Sequence, residues 1–455
     1  MSETIQGPVH LIGVGGMHMS AIGILLREQG VAVTGSDLRL SPLTERVAAL
    51  GASVYEGHRA ENVGDAKLVV TTAAADEDNP ELVEARERGI PVLLRAEMVA
   101  RLMAGKRVVA VSGSHGKTTT SSLIAYILQQ AGRNPMYLLG GESVDLDGHA
   151  SWGEEICVVE ADEYKRAFHE YTPEIAIITN IEADHLDYYG TAEAYHEAFV
   201  EFARKIPTGG RLLWCADDAG AAQVAAALGT GDLLVEGYGI SAGHWKADDI
   251  QQDEEGTSFT VLRQGAAVGR MRTNLPGEHV VRNTLAATAV AMALGVDFGQ
   301  IRGAVATFQG ARRRFQRVGE AAGVLVMDDY AHHPTEVRAT IAAARGRFAG
   351  RRIIGVYQPH TYSRIAYLWD EWLTCWEGLD ELIVLETYAA REQPEAGRSA
   401  PDLAEAIKNP QTHYAATFEE AAWLAARRAR PGDVVFTIGA GDVDTVGPLL
   451  LEALR

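Results

Sequence analysis

A short glycine-rich stretch, Gly113-Ser114-His115-Gly116-Lys117-Thr118, lies between an apolar run and a helical pattern. Glycines there let backbone N–H groups close around phosphate oxygens, and the helix N-terminus adds partial positive charge. Lys117 is expected on the β- and γ-phosphates, with the Thr118 hydroxyl offered to Mg2+. The loop has the form GxxGKT, tighter than the standard phosphate-loop spacing, because Val111 stands five residues before Gly116. A plain glycine turn with a capping threonine is the alternative; the strand before and the helix after favour phosphate.

Two acidic segments follow apolar runs in the same region: Glu160-Ala161-Asp162-Glu163, and Asn180 to Asp187, which includes Glu182, Asp184 and His185. Hard cations take carboxylate oxygens and bridge phosphates, so these segments are candidate metal ligands rather than solvated loops. Near the N-terminus, Gly13-Val14-Gly15-Gly16 begins a dinucleotide-type turn that His18 breaks at the last glycine position. Asp37 closes the next strand at the distance expected of a ribose-binding acid. A nicotinamide oxidoreductase is therefore one rival reading. The second phosphate loop opposes it, since hydride transfer needs no triphosphate. Further on, Arg312-Arg313-Arg314 offers a cation for a transferring phosphoryl group. Asp328-Asp329-Tyr330-Ala331-His332-His333 and Gln358-Pro359-His360, with Arg364, end later strands; the two histidines beside two aspartates offer a metal site, an acid–base pair or structural hydrogen-bonding groups.

The elements that must position these groups alternate along the chain. VHLIGVGG, VAVTGSD, AKLVVTT and IPVLL read as strands separated by helical patterns, the βαβ signature of a parallel sheet. The alternation restarts at Lys106 and again after Gly310, giving three α/β units: 1–105, 106–310 and 311–455. Residues 230–275 read as a β-rich insertion. In open parallel sheets ligands bind at the carboxyl ends of the strands, where the Asp, Glu, His and Gly residues accumulate here.

Composition narrows the function class. The 455 residues carry 41 Lys+Arg against 61 Asp+Glu, a formal charge of −20, which argues against a broad grip on nucleic acid or an anionic membrane. Three scattered cysteines, Cys157, Cys215 and Cys375, fit buried thiols in a reducing compartment. The opening MSETIQGPVH has no basic region followed by an apolar run, and no stretch reaches the roughly 20 apolar residues of a membrane span. A cytoplasmic protein is expected.

In order, HLIGVGGMHMSAIG, TTAAADEDNPEL, LLRAEM, SGSHGKTTT, EADEY, TNIEADHLDYYG, NLPGEHVVRN, DDYAHHPTE, QPHTYSR and GAGD resemble the motifs of the Mur ligase family across the whole chain. The resemblance implies an α/β fold of three domains: an N-terminal Rossmann-like domain for a UDP-sugar, a central P-loop ATPase-type domain with a mostly parallel sheet, and a C-terminal Rossmann-like domain on the amino-acid side. It implies the reaction of ATP, UDP-N-acetylmuramate and L-alanine to ADP, phosphate and UDP-N-acetylmuramoyl-L-alanine, with two Mg2+ ions.

Carried over by position, Gly15, Gly16, Met17, His18, Met19, Ser20, Ser36, Asp37, Thr71, Thr72 and Arg95 bind the UDP-sugar. Gly113 to Thr119, with His279 and Asn283, bind ATP. Thr118, Glu160 and His185 bind metal. Arg314 and Asp328 or Asp329 approach the γ-phosphate, while His333, His360 and Arg364 line the amino-acid side. Lys117, Arg314 and His333 are the expected catalytic groups. The chain departs from the family pattern at His18, at Lys165 after EADEY, and at Val280, where an asparagine is common. Glu201 is the candidate substitute for the carbamylated lysine of other members.

Physically, a carboxylate is a poor acceptor for an amine because oxide is a poor leaving group. Phosphorylation by ATP supplies a better one. Cations neutralise the charge that gathers when two anions meet. Within the family, the runner-up is ligation of a preformed murein tripeptide to the same sugar nucleotide. Outside it, a nonenzymatic nucleotide sensor is opposed by the intact Lys117, Thr118, Glu160 and His185.

Overall fold

The computed structural model describes residues 5, 7–73, 75–229, 231–390, 392–393 and 398–455. Half of the opening MSETIQGPVH lies outside the described residues, as do Ala74 within TTAAADEDNPEL and Thr230 at the start of the β-rich insertion.

Apolar runs become strands whose polar residues fall at their ends. The first sheet comprises β1 (Val9–Ile12), β2 (Val33–Asp37), β3 (Ser53–Glu56), β4 (Leu68–Thr71) and β5 (Val92–Leu94), in the order β3-β2-β1-β4-β5. Its pairs are all parallel.

The second sheet contains β6 (Arg107–Ser112), β7 (Met136–Ser143), β8 (Gly148–Ser151), β9 (Ile156–Glu160), β10 (Ile175–Ile178), β11 (Arg211–Cys215), β12 (Leu234–Gly239), β13 (Trp245–Asp253), β14 (Gly256–Arg263) and β15 (Ala266–Thr273). Their order is β15-β14-β13-β12-β11-β10-β6-β9-β7-β8. Strands β6, β9, β10 and β11 pair in parallel, and β12–β15 supply the expected β-rich insertion. Val108 to Val111 and Ile156 to Val159 are buried. A parallel strand covered on both faces reads as such a continuous apolar run.

The third sheet comprises β16 (Gln316–Ala321), β17 (Val324–Asp329), β18 (Ile353–Tyr357), β19 (Glu381–Leu385), β20 (Gln411–Ala415) and β21 (Val434–Ile438), ordered β16-β17-β21-β18-β19-β20. Only the β16–β17 pair is antiparallel. These are three α/β domains with parallel-rich sheets. By their contacts the residues form two compact units. The first contains Met1–Asp248, Thr260–Met271 and Arg282–Ala311, and the second Asp249–Phe259, Arg272–Val281 and Arg312–Arg455.

The cysteines are buried, free thiols. Burial pushes Cys157 up to about 12 and Cys215 up to about 11, and raises Cys375 too. Among the described residues no helix is long and apolar enough to cross a membrane.

Candidate active site

Strand β6 ends at Ser112 and the chain turns through Gly113 and Gly116 into the helix Lys117–Gln130. Gly113 has φ +130°, and a Cβ there would lie 2.1 Å from Thr179 Oγ1. Gly116 has φ +83°, and its Cβ would stand 3.0 Å from Asn283 Oδ1. Both positions therefore require glycine, for conformation and for space. The second approach also places Asn283 against the loop.

The Lys117 ammonium donates to the carbonyls of Gly113 and Ser114 and to Glu163 Oε2 at 2.9 Å. Burial opposes its charge, but Glu163 and Glu160 outweigh burial and hold the ammonium above its usual range. Thr118 Oγ1 donates to Glu160 Oε2 at 2.8 Å, and the Gly140 N–H donates to the same oxygen at 2.9 Å. Thr119 follows, half-buried, in the first helical turn.

Two acidic strand ends meet this loop. Glu163, 2% exposed, lies 3.8 Å from His185 Nε2 through its Oε1. Burial raises the Glu163 carboxyl against the pull of Lys117. His185 has φ +53°. The Asn180 amide oxygen accepts from His115 N at 2.9 Å, and Ser114 Oγ donates to Glu182 O at 2.8 Å. Tyr195, 1% exposed, reaches Ser114 Oγ at 3.1 Å and donates to Glu163 Oε1 at 3.4 Å.

Glu163 falls in the acidic segment expected to ligate metal but has no individual role there, and Tyr195 is not singled out by the sequence. The last acid of EADE is a signal for Glu163; nothing local marks Tyr195. Glu201, the candidate substitute for the carbamylated lysine, pairs with Arg166 and lies 3.6 Å from His169 Nδ1. Lys165 donates to Ala73 O at 2.9 Å.

The glycine turn after β1 is closed by Asp37, whose Oδ2 accepts from Gly15 N at 2.8 Å. Gly16 caps the helix Met17–Glu28. Met17 and His18 lie in its first turn, while Met19 is core. Ser20 donates to Met17 O at 2.9 Å and contacts His149 Nε2 at 2.9 Å, both side chains being buried. Arg95 donates to Asp162 Oδ2 at 2.8 Å, and burial, with Arg95 next, holds the His18 imidazole down to about 3. Ser36 donates to the buried Glu81 at 2.6 Å, so its hydroxyl faces inward. Asn62 and the histidines His10 and His58 complete that network. Thr71 is buried and Thr72 follows it at the strand end.

In the second unit the arginines divide their work. Arg313, the middle residue of the arginine triplet, donates to Asp328 at 2.9 Å and to the carbonyls of Gly439 and Gly441 at 2.8 Å. Arg314 pairs with Glu336 at 3.3 Å. Asp329 accepts from the N–H groups of Phe315 and Ala331 at 2.9 Å, and burial pushes it up to about 6 although Arg314 opposes the shift. His333 caps the helix Pro334–Arg347 through Nδ1, which accepts from Thr335 N at 3.3 Å. His360 stacks on Tyr388 with ring centroids 5.4 Å apart, and Arg364 donates to the His360 carbonyl at 3.0 Å. His332 approaches His360 at 6.1 Å between ring centroids. His279 lies at the start of the helix Glu278–Ala293, beside Gly277, and Val280 is buried there.

Family models match three consecutive stretches: the Mur ligase family catalytic domain at residues 8–107, the Mur ligase middle domain at 111–291, and the Mur ligase glutamate ligase domain at 313–441. The chain belongs to the Mur ligase family. The UDP-N-acetylmuramate–L-alanine ligase of Roseiflexus sp. (strain RS-1) is 43% identical over 467 residues, covering 98% of this chain and 99% of that one. The crystal structure of the Thermotoga maritima UDP-N-acetylmuramate–alanine ligase MurC superposes with a TM-score of 0.83 at 27% identity, covering 98% of both chains. A murein peptide ligase from Psychrobacter arcticus gives a TM-score of 0.70 at 25% identity, also covering 98% of both.

The phosphate loop fits the ATP on which Mur ligases depend. Two glycines leave no room for side chains, and a buried lysine ends on backbone carbonyls that a phosphate can replace. The paired oxygens of Thr118 and Glu160 form a hard donor set suited to Mg2+.

Proposed function

We propose that this chain joins L-alanine to UDP-N-acetylmuramate in peptidoglycan precursor synthesis, with ATP cleaved to ADP and phosphate. The near full-length identity to the Roseiflexus ligase carries this reading. The weaker likeness to the murein peptide ligase does not favour the tripeptide alternative. We place domain boundaries near residues 105 and 310, and the reaction in the cytoplasm, where ATP is at hand and buried thiols stay reduced.

Gly15 to Ser20, Ser36, Asp37, Thr71, Thr72 and Arg95 are assigned to the sugar nucleotide. Asp37 and Ser36 act by shaping the glycine turn and the strand end beneath it. Gly113 to Thr119, His279 and Asn283 are assigned to ATP. Mg2+, held by Thr118 and Glu160 with His185 at a second position, supplies neutralising charge when bound.

The sugar carboxylate attacks the γ-phosphorus and ADP leaves. The alanine nitrogen then attacks the acyl carbon, phosphate leaves, and the nitrogen gives up a proton. Lys117 draws charge from the phosphoryl oxygens, with Arg314 and Asp328 or Asp329 assigned to the same group. Arg364 and His360 orient the amino-acid carboxylate. His333, whose Nδ1 is held by Thr335 N–H, is assigned to the amine side.

Phosphate release is the test, run with ATP, Mg2+ and UDP-N-acetylmuramate and with L-alanine, tripeptide or no amine. Release that requires both the sugar nucleotide and L-alanine, with the product mass confirmed, is expected. Release with the tripeptide alone moves the chain to the recycling branch, and none in any arm removes the ligase reading.

A further inference from the structure

Within the second unit, a cleft of about 300 Å³ is lined along β17 by Leu325 and Met327, residues that precede Asp329 on the same strand. Its apolar lining comes from Leu325 and Met327 of β17, with Phe315 and Phe348, whose rings lie parallel with centroids 6.1 Å apart. Its charged lining is unequal. Arg317 is paired with Glu320 at 3.0 Å and both are exposed, as is Glu254. Among the described residues, Arg347 and Arg351 have no carboxylate within ion-pair distance. Arg347 donates to Asn274 O at 2.9 Å, and Arg351 donates to the carbonyls of Gly432 and Asp433 while lying 5.6 Å from the Phe348 ring centre. Each guanidinium carries five N–H donors in a rigid fork. Backbone carbonyls leave several of those donors, and the whole positive charge, uncompensated. Burial accordingly lowers Arg347 from its usual range, against the distant pull of Asp253.

Phe315 ties this cleft to the residues assigned to phosphoryl transfer. It follows Arg314 directly, sits at φ +52°, and donates its N–H to Asp329 Oδ2 at 2.9 Å. A bulky residue held in the left-handed region is strained, so pressure on its ring is passed to its own backbone. That backbone holds Asp329, and the preceding residue is Arg314.

We propose that this cleft is a binding site for a small anion with a flat apolar body, and that its occupancy acts on Arg314 and Asp329 through Phe315. The apolar body lies against Met327 and the exposed edges of the Phe315 and Phe348 rings, and its anionic group meets Arg347 and Arg351. Charge complementarity fixes the sign of the ligand, since burying an unpaired guanidinium is unfavourable and an anion relieves it. The site stands apart from the ligase reading; only its action on turnover rests on it.

The probe is 8-anilinonaphthalene-1-sulfonate, an aromatic sulfonate, titrated into the full chain and followed by fluorescence. One saturable site is expected. Met327→Trp, which fills the floor, weakens binding at least tenfold. Arg347→Gln, which keeps the floor, weakens it several-fold but leaves the uncharged analogue N-phenyl-1-naphthylamine unchanged. Circular dichroism and melting temperature confirm that each variant is folded, and either variant alone suffices for the comparison. Affinities within twofold of the parent in the folded variants overturn the site. In the ligase assay, saturating probe is expected to change phosphate release by the parent and not by Met327→Trp. Binding in the cleft with turnover unaltered overturns the link through Phe315. Because the titration needs no catalysis, a chain that lacks ligase activity still tests the site.

Discussion

Glu81 and Glu163 are equally hidden from solvent, yet their surroundings push them in opposite directions. Glu81 receives hydrogen bonds from Ser36 at 2.6 Å and Asn62 at 2.7 Å, with His58 at 3.0 Å and His10 near. Burial alone raises it, but those bonds overcome burial and hold the carboxyl down to about 2. Glu163 has Lys117 and a long bond from Tyr195, with Asp162 adding like charge; burial prevails and its carboxyl rises. Donors fixed by packing lock a carboxylate into the scaffold. A lysine that also rests on the carbonyls of Gly113 and Ser114 leaves it able to exchange partners, as phosphate chemistry requires.

The largest expected effect tests the exchangeable end of this contrast. Lys117→Met lowers turnover about a thousandfold, in the range of losing one preorganised charge at a transition state, while the melting temperature stays near that of the parent. A variant retaining a tenth of parental phosphate release removes Lys117 from the chemistry.

Glu81→Gln should act on stability instead, by about 3 kcal/mol near neutral pH, with KM values unchanged. The folded carboxyl lies below its unfolded value. Its stabilisation is therefore present above the unfolded range and is lost as pH falls from about 4.5 toward about 2. Urea midpoints across that window should fall in the parent more steeply than in the variant; parallel curves would falsify the locked state.

Glu160→Gln keeps the hydrogen bonds possible but removes a charge from the Thr118 pair. It should raise the Mg2+ concentration for half-maximal rate about tenfold, and an unchanged Mg2+ curve excludes Glu160 as a ligand.

Smallest is Tyr195→Phe, which deletes one hydroxyl between Ser114 and Glu163. It should raise the ATP KM about fivefold, the equivalent of one neutral hydrogen bond, leaving the L-alanine KM unmoved. Equal shifts in both constants indicate a general loss of packing instead.

The locked site was the harder to read from the sequence. PELVEARERG carries a helical pattern and nothing in it distinguishes Glu81 from the half-buried Glu84 and the exposed Glu87. Its burial depends on Ser36 and Asn62, whose approach is set by the register of strands distant in sequence. The phosphate loop was legible because strand, glycines, lysine and helix are contiguous, so local sterics determine the geometry. Asn283 was found through the family motif, whereas its contact with Gly116 is a product of the fold. Among the three arginines, spacing alone could not distinguish Arg313, held by Asp328 and two carbonyls, from Arg314 beside Glu336. The strands themselves were clear, since uninterrupted apolar runs with polar ends belong to parallel sheets covered on both faces.

The three inward-facing thiols make the chain unusually convenient for site-directed labelling. A maleimide reacts with exposed thiolate, and Cys157, Cys215 and Cys375 present none at neutral pH. One cysteine introduced on the surface of each compact unit would therefore carry a fluorophore pair on the otherwise native sequence, and distance changes could be followed as each substrate is added.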